Sequence, residues 1–273
     1  MQDGQARGSH CIYTPALRRI LRTVIDVHEQ DRVAVLRIEH GKANALDTEL
    51  MRDLTTALTA LRAGDARAVV ITGTGTIFGA GVDLFRVINE GEAYASAFVP
   101  GLARLLTDLF EFPMPLVAAV NGHAIAGGCI VACTCDYRIM AEGKGTIGVP
   151  ELLVGVPFPN AAIEILRSVL SPHDLQALVF TGRTCAPDEA MRRGLVHEVV
   201  PPDELLARAI DVARQFAGVP REVFAATKHA MRAEALARLQ NDRTLGDVVR
   251  TWGRPETRAH IQQYLDRVVR KPR

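Results

Sequence analysis

The sequence predicts an α/β protein in which parallel strands are joined by crossover helices, followed by a mainly helical C-terminal part. Three observations carry this expectation. Short apolar runs such as "RAVVIT", "PLVAAV" and "DYRIMA" read as buried strands. Stretches with apolar residues at helical spacing lie between them, and such alternation implies a parallel sheet. From Ala161 onward the pattern changes and almost every segment reads as a helix.

Residues 1–22 show little pattern beyond Leu17, Ile20 and Leu21 and read as a loosely held extension. "TVIDVHEQDRVAVLRIEH" reads as two strands joined by a polar turn at Glu29–Arg32. Asp47 is placed to cap a helix whose Leu50, Met51, Leu54, Leu58 and Leu61 share one face, and Gly64-Asp65 ends it. "RAVVIT" follows, then a glycine loop over 73–81, a short helix capped by Asp83 and a longer one over about 92–111. "PLVAAV" leads to a helix starting near Gly127, and "DYRIMA" is the next strand. Further on, "AAIEILRSVL", "SPHDLQALVF", "PDEAMRRG", "PDELLARAIDVARQFA" and "PREVFAATKHAMRAEALARL" read as helices, several with proline in the first turn. Only "LVHEVV" reads as a strand there.

The chain has 273 residues, 48% of them hydrophobic, enough for one large core. A net charge of +1 with no basic stripe gives nucleic acid no electrostatic footing. Lys42 and Arg86 remain available to a small anion. No window has the apolar length of a membrane helix. Five cysteines and an N-terminus without an apolar leader fit a reducing, cytoplasmic setting. Cys129, Cys133 and Cys135 lack paired Cys-x-x-Cys spacing and sit in an apolar run. They read as small buried hydrophobes, and no metal site is expected.

Two glycine-rich segments stand out. "ITGTGTIFGAGVDLF", 71–85, has GxGxxxG spacing, but no acidic residue at a second strand end follows, and no GK[ST] is present. That leaves dinucleotide and P-loop readings without support. Small residues just before a helix cap instead expose backbone N–H groups where an anionic oxygen is favoured. "VAAVNGHAIAGGCIVACTCD", 117–136, repeats the device. Two such loops, each after a buried strand, can aim one N–H each at a single carbonyl oxygen, which is the geometry of an oxyanion hole.

"FGAGVDL" and "AVNGHAIAGGCIVACTCD" resemble the two signature loops of the crotonase superfamily, the enoyl-CoA hydratase/isomerase family. "GKANALDTELMRDL" resembles its first coenzyme A segment, and "FTGRTCAPDEAMRRGLVHEVVPPDELLARAIDVARQFA" its later helical part. The resemblance runs from about Val24 to the C-terminus. It implies a crotonase-like spiral of ββα units over 23–205, a helical C-terminal trimerisation part over 206–273, and a homotrimer or hexamer. It implies an acyl-CoA thioester as ligand, with coenzyme A as part of the substrate and no separate cofactor. Carried over, the thioester oxygen is held by the N–H groups of Ala80 and Gly127. Lys42, Ala43 and Ala45 line the coenzyme A entrance, and Phe78, Ala80, Gly81, Val82, Asp83 and Leu84 follow the adenine and pantetheine arm.

Family hydratases carry two glutamates, one in a GGGxE pattern. Here Ile130 stands at that position, and the second acid is present as Glu151. Adding water across a double bond uses both carboxylates; moving a double bond needs one base. The pattern therefore resembles the single-glutamate Δ3,Δ2-enoyl-CoA isomerases, to which "GVPFPN" and "HIQQYLDRVVR" add similarity. A hydratase with another group in place of the missing acid and a non-catalytic acyl-CoA binder are the alternatives. Serine hydrolysis finds no nucleophile turn. Without the resemblance, Glu151 would read as an early-turn acid favoured by a helix dipole. His123, His197 and Asp136 read as structural, and Asn160 as a helix cap. Tyr264 and Arg267 either reach a neighbouring subunit's ligand or belong to an ordinary amphipathic helix.

Overall fold

The computed structural model describes residues 24–269; the extension 1–22, with Cys11, lies outside them. A hairpin of β1 (Ile25–Gln30) and β2 (Val33–Ile38) turns on Asp31 and Arg32, both at positive φ. It leads to α1 (Thr48–Ala63), where the Asp47 carboxylate accepts the Leu50 N–H at 2.7 Å. The chain then repeats one unit: a strand, a very short strand, a helix. The turns are β3 (Ala68–Thr72), β4 (Ile77–Gly79) and α2 (Leu84–Phe110), then β5 (Leu116–Val120), β6 (His123–Ile125) and α3 (Gly127–Thr134), then β7 (Tyr137–Ala141), β8 (Ile147–Gly148) and α4 (Glu151–Val154).

With β9 (Thr184–Cys185) and β10 (Glu198–Val200), these strands make two sheets, ordered β1-β2-β3-β5-β7-β10 and β4-β6-β8-β9. Pairing is parallel except at β1–β2 and β8–β9. Each turn thus adds one strand to each sheet, which is the ββα spiral. The remaining helices are α5 (Asn160–Val169), α6 (Pro172–Thr181), α7 (Pro187–Arg192), α8 (Leu205–Ala217), α9 (Arg221–Gln240), α10 (Leu245–Gly253) and α11 (Pro255–Val269). No helix among the described residues is long and apolar enough to cross a membrane.

The two helices expected after Asp83 are present: the span α2 is two helices joined across a kink at Gly91 (φ 61°, ψ −135°). The structure corrects other expectations. The strands of the small sheet are two or three residues long, too short for any periodicity to show. Asn160 does not cap α5: it is the first helical residue, Pro159 holds the cap position, and no side chain caps that helix. The helix that opens the C-terminal stretch packs on the large sheet. Leu205, Ala209, Val212 and Ala213 of α8 cover the outer face of the large sheet, against Val35, Val70, Val117 and Ile139.

Asp136 is structural, as expected. Its carboxylate accepts the Leu116 N–H at 2.8 Å, Lys228 Nζ at 2.8 Å and Arg232 at 2.8 Å, which ties α9 to the sheet. His123 Nδ1 accepts the Thr146 N–H at 3.2 Å between small-sheet strands. His197 stacks on Tyr137, and burial beside Arg138 pushes its imidazole down to about 4. Cys129, Cys133, Cys135 and Cys185 are free and buried.

The glycine run at α3 has a steric reason. A Cβ on Gly128 would stand 2.2 Å from the Gly79 carbonyl oxygen, and one on Gly79 3.2 Å from the Gly128 Cα. Only two glycines let β4 and the start of α3 lie backbone to backbone. Gly128→Ala is therefore expected to lower stability by at least about 2 kcal/mol. A denaturant melt indistinguishable from that of the parent would contradict this packing.

Candidate active site

The start of α3, the loop after β4, α4 and the two last helices enclose a cavity of about 480 Å³, within the range of small-molecule sites. Its wall is almost wholly apolar. Leu102 and Leu106 of α2, Ile130 of α3, Val154 and Val156 beside α4, Trp252 of α10 and Leu265 of α11 all face it. Trp252 is locked in place, donating its Nε1–H to the Pro157 carbonyl at 2.9 Å.

Of the residues singled out from sequence, Ala43, Ala45, Ala80, Val82, Asp83, Leu84, Gly127 and Glu151 line this cavity. Lys42, next to Ala43, is exposed. Gly81 and Phe78 do not line it: Phe78 is 1% exposed and belongs to the core. Arg86, expected to be free for an anion, is committed, with ion pairs to Glu49 and to Glu90, the latter at 2.8 Å.

The backbone donors need one correction. Ala80 N–H, expected to be a free donor, donates to the Ala43 carbonyl at 2.9 Å. A proton held there is not available to a ligand. Two residues on, Val82 is bridged to Leu46 in parallel fashion. In that pairing the Leu46 N–H donates to Gly81 O at 2.6 Å and the Asp83 N–H to Leu46 O at 3.0 Å. Val82's own N–H faces away from that pairing, and among the described residues no backbone carbonyl accepts it. Gly127 opens α3 after Ala126 (φ 51°), with no side-chain cap, so its N–H is an orphan of the helix start. The two segments touch: a Cβ on Gly81, itself at φ 89°, would lie 2.8 Å from Ala126 Cβ and 3.7 Å from Gly127 N. Val82 and Gly127 are thus two neighbouring N–H groups on this wall that no carbonyl among the described residues accepts. The shift from position 80 to 82 could not be seen in the motif, because it depends on which N–H the strand-like bridge to Leu46 consumes.

Glu151 opens the single turn of α4 and is 8% exposed. Among the described residues its Oε2 has no hydrogen-bond partner. Burial pushes its carboxyl up to about 8 from the ordinary 4.5. A helix dipole would move it down, and by at most a unit or so; one turn of helix cannot offset desolvation of this size. Glu151 is therefore not an early-turn acid in solvent. Ile130, 1% exposed, shares the cavity with it, so no carboxylate stands at that position. Tyr264, read as a possible contact to a neighbouring subunit, lines this cavity of its own chain, while Arg267 is exposed.

Comparison with known proteins identifies the family and the fold. A family model described as enoyl-CoA hydratase/isomerase matches residues 28–267. Human mitochondrial enoyl-CoA delta isomerase 1 is 28% identical over 252 residues, which cover 90% of this chain and 83% of that protein. Carnitinyl-CoA dehydratase of Salmonella arizonae is 35% identical over 199 residues, 72% of this chain and 76% of the relative. The crystal structure of human mitochondrial delta3-delta2-enoyl-CoA isomerase matches with a TM-score of 0.86 at 28% identity, over 90% of this chain and 98% of that one. Spiral topology, glycine-built donor loops and the matched span lead to one conclusion: the chain belongs to the enoyl-CoA hydratase/isomerase family.

Proposed function

We propose that this protein shifts a carbon–carbon double bond in an acyl-CoA thioester, from the 3,4 to the 2,3 position, with Glu151 as its single acid–base group. The observation that carries this reading is a lone buried carboxyl beside two uncommitted backbone donors, with Ile130 where a second acid would stand. The thioester oxygen accepts hydrogen bonds from Val82 and Gly127. Glu151 removes a proton from carbon 2; the electron pair moves onto the thioester oxygen and spreads over the dienolate. The same carboxyl returns the proton to carbon 4. Each backbone donor at the oxygen contributes on the order of 3 kcal/mol to the barrier. Apolar walls keep water from the dienolate, and exposed Lys42 is placed to meet the phosphates of coenzyme A.

Hydration is the second reading, favoured by the similarity to a carnitinyl-CoA dehydratase. Against it stands the role of the other acid on the wall: Asp83 is held as a helix cap, its Oδ1 accepting the Phe85 and Arg86 N–H groups at 3.0 and 3.2 Å. We also propose a homotrimer or hexamer, supported by the exposure of Phe180 (72%), Val223 (52%) and Met231 (83%); light scattering of the purified chain reads the mass.

A panel of 3-enoyl-CoA and 2-enoyl-CoA thioesters of several lengths tests the reaction. Isomerisation of the 3-enoyl thioesters is expected, without loss of the conjugated thioester absorbance that hydration causes. Tight binding without turnover would leave only a binder. Glu151→Gln is expected to lower kcat by about 100-fold or more. For the parent, kcat/KM is expected to rise with pH and level off above about 8, since the ionised carboxyl is the working form.

The same group makes a stability prediction. Its folded value is raised, so the stability it contributes is complete below pH 4.5 and is lost as pH rises toward about 8. Glu151→Gln abolishes that loss. Its stability relative to the parent should therefore climb between those pH values by a few kcal/mol. Melting curves at pH 5 and pH 8.5 with an unchanged difference between the two proteins would contradict the burial of the ionisable group.

A further inference from the structure

Four side chains lining the cavity can make hydrogen bonds: Asp83, Glu151, Trp252 and Tyr264. Asp83 spends one oxygen, Oδ1, on the cap of α2 and as a carboxylate has no proton to donate, while Trp252 donates to the Pro157 carbonyl. That leaves a buried carboxyl and one unspent side-chain donor on this apolar wall. One is Glu151, whose Oε2 is buried without a partner. The other is the half-buried hydroxyl of Tyr264, which has no hydrogen bond among the described residues. The elements that carry them are packed together. His260, one turn before Tyr264, lies so close over Gly155 at the end of α4 that a Cβ there would meet its ring at 2.3 Å. Ile261 and Leu265, buried on either side of Tyr264, fix the helix.

From this juxtaposition we infer that Tyr264 is a positioning residue for Glu151: when the carboxyl ionises, the unspent O–H turns to donate to one of its oxygens and leaves the other facing the reacting carbons. The inference rests on the isomerase reading above. Tyr264 keeps its proton throughout; the proton taken from carbon 2 resides on the second carboxyl oxygen until it passes to carbon 4. The phenol suits this role, because burial and the nearby Glu151 charge push its own ionisation upward, against the pull of Arg267. The other groups that meet this carboxyl do not compete. The Cys129 thiol from α3 is fully buried, and its hydrogen bond with Cys133, its burial and then the Glu151 charge push its ionisation upward. His260 packs on Gly155, and α6 meets α4 through Gly182 against Leu153.

Tyr264→Phe tests the inference, with the ring and its packing kept. A donor to a carboxylate favours the ionised form. Its loss is expected to raise the acidic limb of kcat/KM by about one pH unit and to lower kcat about 10-fold, with KM little changed. Site-specific 3-fluorotyrosine at 264 is isosteric and a stronger donor, and should move the limb the other way; it decides the matter where the phenylalanine variant does not fold. An infrared titration of the Glu151 carboxyl, assigned by its absence in Glu151→Gln, reads the same shifts without turnover. Unchanged carboxyl titration and an unchanged kcat in Tyr264→Phe would overturn the inference. A parent that isomerises no 3-enoyl-CoA would overturn the isomerase reading, while the infrared shift still reports on the pairing.

Discussion

The site depends on a close contact between two peptide backbones. Gly79 at the end of β4 and Gly128 in the first turn of α3 meet with no room for a side chain on Gly128. That contact brings two successive turns of the spiral together through buried backbone. Everything at the site follows from it: the loop over 80–82 and the start of α3 can open on one cavity only because β4 and α3 approach this closely. Glycine is conformationally costly, and here the cost is met by the packing of two sheets and their helices around one core.

The second constraint is electrostatic. A carboxyl without a hydrogen-bond partner, walled by leucine, isoleucine, valine and proline, disfavours its ionised form, which is the form a base needs. Burial of the protonated acid costs far less than burial of the anion, so the folded protein holds the proton more tightly. The result is a group poised near neutral pH rather than near 4.5. The walls that destabilise the anion are the walls that raise its proton affinity, which is the property the proposed reaction asks of it.

The last helices give the site its closure. α10 packs along α2 and supplies Trp252, and α11 lies against α4 and α2 and supplies Tyr264 and Leu265. The cavity is therefore completed by the same chain that carries Glu151. Meanwhile α8, which precedes them, serves the opposite face of the large sheet. The helical C-terminal stretch has two separate tasks, one in each layer.

Much of this was legible in the residues themselves. The strands of the large sheet, the Asp47 and Asp83 caps, the helix opening at Gly127 and the structural roles of Asp136, His123 and His197 follow from local chemistry: β-branched runs, capping carboxylates and glycine at close approaches. Glu151 and the replacement at Ile130 could be singled out because acids and their absence are visible in a motif. The small sheet could not be read, since strands of two or three residues leave no period. Nor could the donor at Val82 be distinguished from that at Ala80, because which N–H is free depends on the carbonyls of Ala43 and Leu46 across the fold. Tyr264 on the wall of its own chain's cavity, Arg86 bound between two glutamates and the role of α8 are likewise tertiary facts. Sequence fixes what a residue can donate, accept or bury; only long-range packing decides which of those capacities is already spent.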